Sequence, residues 1–269
     1  MSQYEIQPEW VHIAYAETSQ FREVYGFAGA AGMVNLEGIR FLPKGKPSKT
    51  LAVYMHPATT LQLLPMPQAM AKAGVHVLCA GSRFMKNDTP LIMEKVVLDL
   101  GAYIRHAKEK WGYEKILLCG WSGGGSLSLF YQQQAEKPSI TQTPAGDPVD
   151  LKGAKLIPAD AFIFQAAHLS RAHTFSEWID PSVIDEADPD TRNLEFDIYN
   201  PKCPTQPPYS ADDAVPQSHT GIIYNAAASK DKTMRVIKGA THYYQGQPEL
   251  LKQAVDLCVG WMDKQRLID

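Results

Sequence analysis

Four short apolar runs, each bounded by residues that break regular structure, set the pattern of the middle of the chain. Residues 51–55 (LAVYM) stop at His56-Pro57, residues 75–80 (VHVLCA) at Gly81, and residues 115–119 (KILLC) at Gly120; Ala161–Ala167 (AFIFQAA) is the fourth. Runs of this length and punctuation suit strands covered on both faces, as in a parallel sheet. Helical patterns separate them. Residues 66–73 join the first two runs. Residues 91–111 join the next two, with Val97, Leu100, Ile104 and Ala107 on one stripe. Residues 125–135 follow the third run. Further on, residues 220–229 read as a helix, 232–237 (KTMRVI) as a strand and 248–265 as a closing amphipathic helix. Residues 21–26 and 34–42 look like an opening antiparallel pair. Alternating strands and helices predict an α/β fold with a mostly parallel, doubly wound sheet.

Two stretches interrupt this rhythm. Residues 137–158 carry Pro-Ala-Gly-Asp-Pro, and residues 171–209 are rich in Asp and Pro. Long segments without periodicity tend to be lids or binding loops. The expectation is a single domain over residues 1–269, with cap or lid segments at about 137–158 and 171–209.

Composition narrows the class. The 269 residues are 45% hydrophobic and 20% charged, which excludes a disordered chain. A net charge of −3 leaves no basic footprint for nucleic acid. No run approaches the ~20 apolar residues of a membrane span, and the first residues show no basic head with an apolar stretch behind it. A soluble, cytoplasmic protein with no nucleic-acid or membrane partner is expected. The four cysteines fit no zinc-binding spacing; Cys79 and Cys119 lie in apolar runs and read as buried thiols.

The strongest chemical signal is Gly120-Trp121-Ser122-Gly123-Gly124, after a strand and before a helix. A serine at the tip of such a sharp turn exposes its Oγ to a cleft, and the glycines leave room for the turn. A serine needs a base, and the base needs a third group to orient it. His242, in Gly-Ala-Thr-His just after the run 232–237, is the candidate base; His168, at the end of the fourth run, is its best rival and could line the pocket. The candidate acid is Asp212, with Asp213 beside it as the alternative. An oxyanion hole needs two N–H donors. Gly123 supplies one. Pro57 has no N–H, so Ala58 is the first available on the loop after residues 51–55, with Thr59 as the alternative.

Assembled, HPAT (56–59), GWSGG (120–124), SADDAVP (210–216) and GATH (239–242) resemble the serine-nucleophile, esterase- and lipase-like branch of the α/β-hydrolase superfamily, from Val34 to the end of the chain. The resemblance implies Ser122 as nucleophile, His242 as base, Asp212 as acid, Gly123 and Ala58 as oxyanion donors, and no metal or organic cofactor. It implies a small-molecule acyl substrate, with an ester as the first expectation. Thioester, amide or C–C hydrolysis and acyl transfer use the same constellation. Trp121, His168 and Tyr243 are expected to line the substrate site. A non-catalytic small-molecule binder on the same fold is the reading from another class. Two departures stand out. His56-Pro57 replaces the commoner His-Gly. No apolar run precedes the acid: residues 200–209 (NPKCPTQPPY) carry four prolines, which central strands exclude. Either the strand is absent, or a cap and strand segment is missing between about Cys203 and Ala211.

Overall fold

The computed structural model describes residues 3–17, 32–172, 174, 182–185, 187–188, 190–197, 200–202 and 217–268. Its six strands are β1 (Ile6–Ala16), β2 (Met33–Pro43), β3 (Thr50–Met55), β4 (Val77–Ala80), β5 (Lys115–Ser122) and β6 (Ala161–Ala167). Its helices are α1 (Pro65–Lys72), α2 (Met93–Glu109), α3 (Gly123–Glu136), α4 (Gln217–Ala226) and α5 (Pro248–Lys264). The sheet order is β1-β2-β4-β3-β5-β6. Strands β4, β3, β5 and β6 run parallel, while β1–β2 and β2–β4 pair antiparallel. Every residue of β3 is buried, as expected of a strand sandwiched between helix layers.

Two apolar layers hold the sheet. Leu51, Val53, Leu78, Ile116 and Leu118 point to one face and meet α2 and α3. Ala52, Tyr54, Val77, Cys79 and Leu117 point to the other and meet α1 and α5. The period-2 alternation of the strands thus feeds both layers at once. Fully burying one such Leu or Val is worth about 1.5–3 kcal/mol. Cys79 and Cys119 are buried free thiols within these strands.

Three expectations are corrected. The opening hairpin pairs β2 with Ile6–Ala16, where Val11, Ile13 and Tyr15 alternate inward; residues 21–26 lie outside the described residues. Residues 232–237 form no strand, and Met234 and Val236 are exposed. A strand forms only against a neighbour, and β6 is the last strand of the sheet among the described residues. Residues 137–158 are no lid over the carboxyl ends of the strands. They join the end of α3 to the start of β6, bury Val149 and Leu151, and lie against α2 and α3. Tyr131 Oη donates to the Ile157 carbonyl at 2.8 Å, and Arg105 donates to the Ala154 and Lys155 carbonyls, both at 2.8 Å. About half of 171–209 and all of 203–216 lie outside the described residues, so the expected second cap is described only in part and the chain between Cys203 and Ala211 lies outside.

Candidate active site

The carboxyl ends of three adjacent strands converge. β3 delivers His56, β5 delivers Ser122 and β6 delivers His168, each at or one residue past the strand end. Crevices at this edge of parallel sheets are where such folds hold ligands.

Ser122 is the residue on which β5 turns into α3. Its φ of 52° and ψ of −128° place a non-glycine residue at positive φ. Such a conformation costs about 1–3 kcal/mol and persists only where the surroundings impose it. The glycines around it are demanded by close approach. A Cβ on Gly124 would lie 2.4 Å from the Met55 carbonyl oxygen, and one on Gly120 would lie 2.7 Å from Gly125 Cα. β3, β5 and α3 can meet this tightly only without those side chains. The positive end of the α3 dipole faces the same spot. The Ser122 carbonyl accepts from the His168 N–H at 2.9 Å, tying the turn to the end of β6.

His242 sits on the loop before α5 and is only 7% exposed. Its imidazole stacks on Trp121, the neighbour of Ser122, with ring centroids 4.4 Å apart, and its carbonyl accepts from Trp121 Nε1 at 3.3 Å. Gln247 holds the loop. Its Oε1 accepts from the Thr241 N–H at 2.8 Å and from Thr241 Oγ1 at 3.0 Å, and its Nε2 donates to the Gly239 carbonyl at 2.6 Å. Trp121 therefore backs the histidine from within the core. The small cavity bordered by Trp121, His242, Tyr54 and Tyr244 has a volume of about 10 Å³, room for roughly one water and none for an acyl chain. Tyr243 packs against both rings, at 5.4 Å from Trp121 and 5.0 Å from His242, yet is 47% exposed.

His168 is buried, with Nδ1 3.0 Å from Thr174 Oγ1 and its ring 6.2 Å from that of His219. Asp212 and Asp213 lie outside the described residues.

One residue was overlooked in the sequence. His56 Nδ1 accepts two backbone N–H groups, from Ala58 at 3.2 Å and from Thr59 at 3.0 Å. Ala58, expected to offer its N–H to an oxyanion, turns it onto this ring instead, and so does the alternative, Thr59. The other edge of the ring faces the turn: a Cβ on Gly123 would lie 2.8 Å from His56 Nε2. Burial lowers the ring pKa to about 4. His168, Arg171 and His242 push the same way, and Asp88 opposes them. The legible hint was Pro57, which forces the first free N–H of the loop two residues past the histidine, within reach of its own Nδ1.

Among the described residues, no cluster of three or more His, Cys, Asp or Glu is placed to hold a metal ion, and no helix is long and apolar enough to cross a membrane.

This arrangement is the α/β-hydrolase fold with its strand-to-helix serine turn. No protein-family model matches the chain, and no curated protein matches it. Solved structures do. The chain is similar to a dienelactone hydrolase from Anabaena variabilis at 14% identity and a TM-score of 0.51, covering 96% of this chain and 98% of that one. It is similar to the esterase domain of a Rhodothermus marinus protein at 14% identity and a TM-score of 0.52, covering 95% and 99%. At such identity the likeness concerns the fold; the chemistry has to be argued from the site.

Proposed function

We propose that the chain is a serine hydrolase that cleaves a carboxylic ester or related acyl bond through an acyl-enzyme. The observation that carries this is Ser122 held at positive φ between β5 and α3, with a buried imidazole stacked on the residue beside it. Strain of this kind at a strand-to-helix turn serves to present a hydroxyl. In this reading Ser122 Oγ attacks the acyl carbon as its proton passes to His242. Asp212 fixes the tautomer of that ring and stabilises its cationic form. The bond to the leaving alcohol breaks, and His242 returns the proton to that oxygen. Water then repeats the sequence on the acyl-enzyme and releases the acid. The two neighbours of matching coverage are an esterase domain and a dienelactone hydrolase, which supports an ester or lactone carbonyl as the electrophile.

The test is a panel of p-nitrophenyl esters of graded acyl length, together with a fluorophosphonate probe, on wild type and Ser122→Ala. Turnover and labelling in wild type, both abolished in the variant, are expected. A folded wild-type protein that neither labels nor turns over any ester, thioester or amide overturns the reading in favour of a binding protein.

A further inference from the structure

We propose that His56 is the second oxyanion donor of this site: its Nε2–H, rather than a backbone N–H of the β3 loop, joins the Gly123 N–H in holding the acyl oxygen. The proposal rests on the serine-hydrolase reading above and names a further catalytic group within it.

The geometry carries it in three steps. First, the loop's own amides are occupied. Pro57 has none, and those of Ala58 and Thr59 both point at His56 Nδ1. Their direction is imposed from outside. Ser82 Oγ donates to the Pro57 carbonyl, and the Lys86 N–H donates to the Ala58 carbonyl at 2.7 Å. Those two carbonyls are thereby pulled outward toward the loop after β4, and the Ala58 and Thr59 N–H groups turn inward.

Second, a nitrogen that accepts two N–H groups carries its lone pair there. The neutral ring must then keep its proton on Nε2. The tautomer follows from two backbone donors, without any carboxylate. The ring also stays neutral across the working range, since burial lowers its pKa to about 4. A neutral imidazole that donates one hydrogen bond polarises a carbonyl without holding a fixed positive charge beside His242, which must itself become cationic during the reaction.

Third, Nε2 points to the right place. It lies against Gly123, the residue after the nucleophile, close enough that a methyl group there would be 2.8 Å away. Glycine at 123 is what lets the ring edge lie this close to the turn, so Nε2 borders the residue whose N–H is the expected first donor. Among the described residues no hydrogen-bond partner occupies Nε2. That leaves a preorganised donor beside the candidate nucleophile, the kind of group that gains most when charge develops on the acyl oxygen.

The experiment compares wild type, His56→Phe, His56→Gln and Ser122→Ala. The readouts are steady-state hydrolysis of p-nitrophenyl acetate and inhibition by an aryl trifluoromethyl ketone, whose serine adduct bears the oxyanion. Phenylalanine keeps the bulk of the ring and loses the donor. It is expected to lower kcat about 10²–10³-fold with KM changed little, and to weaken the ketone by a similar factor. His56→Gln, which can still donate, should recover part of both losses. In wild type, the 15N spectrum should show the Nε2–H tautomer of His56 from pH 5 to 9, with its proton shifted downfield in the ketone adduct. A folded His56→Phe variant that keeps kcat and ketone affinity within about threefold overturns the proposal. That result would mean the freed Ala58 and Thr59 amides serve instead, while a Ser122-dependent wild-type activity would leave the hydrolase reading standing. Absence of any Ser122-dependent activity or labelling in wild type removes both.

Discussion

Two buried polar clusters sit along the carboxyl edge of this sheet, and they solve the cost of burial in opposite ways. Near β1 and β4 the cluster is ionic. Arg83 binds Asp99 through its side chain, with Nη2 to Oδ1 at 2.8 Å, and through its N–H to Oδ2 at 2.9 Å. Tyr15 Oη donates to Asp99 at 2.8 Å, Arg83 also pairs with Glu17, and Lys95 Nζ lies 3.4 Å from Glu17. Among the described residues two cations face two anions, and Asp99 is fully buried. Near β3, β5 and β6 the cluster is made of imidazoles, His56, His168 and His242, and at His56 burial works to keep the charge off. Among the described residues the charged cluster pairs its members with one another, which anchors the loop after β4 to α2. In the imidazole cluster, Nε2 of His56 takes no hydrogen-bond partner among the described residues and lies against Gly123. The contrast is between a cluster held by charge pairing and one in which a buried ring is kept neutral.

Four experiments sharpen this contrast. The largest effect should come from Ser122→Ala, which is expected to lower kcat by about 10⁶ with little change in melting temperature, read by ester hydrolysis and calorimetry. Asp99→Ala should do the reverse. It leaves Glu17 as the carboxylate facing both Arg83 and Lys95 in a buried cluster, so about 3–5 kcal/mol of stability should be lost in urea unfolding. A loss below 1 kcal/mol would show that water reaches that cluster.

Next is pH. The folded pKa of His56 lies below that of an unfolded histidine, near 6.5, so the unfolded chain binds the proton first. Stability is complete above pH 6.5 and falls as pH drops toward 4, by up to about 3 kcal/mol. His76 adds in the same direction, because burial lowers its pKa as well; it lies between Tyr113 Oη at 2.8 Å and the Lys46 carbonyl at 2.7 Å. The slope of unfolding free energy between pH 4 and 6.5 should flatten in His56→Phe. An unchanged slope would mean the ring is protonated in the folded protein.

The smallest effect is Ser122→Gly. Relieving the positive φ should raise stability by about 1 kcal/mol while activity disappears, as measured by parallel denaturation and turnover.

What could be read from the sequence divides along the same lines. The strands β3, β4, β5 and β6 and the helices between them were visible, because both-face burial writes apolar runs into local sequence. Ser122 was visible because a tight turn writes glycines beside it. Residues 232–237 have the composition of a strand, but pairing needs a neighbouring edge, and no local pattern carries that. The true partner of β2 was missed because alternation over Ile6–Ala16 is broken by the exposed Trp10. His56 was missed for a similar reason. Its tautomer depends on Ser82 and Lys86, which approach from another loop and redirect the amides of Ala58 and Thr59. A residue's chemistry can be set by neighbours that leave no trace in its own stretch of sequence.

The clasp made by Gln247 carries one last consequence. With one amide spanning Gly239 to Thr241, the hairpin bend that bears His242 is closed into a small ring before any visitor arrives. A single inserted residue between 239 and 247 would unfasten the clasp and set the imidazole swinging.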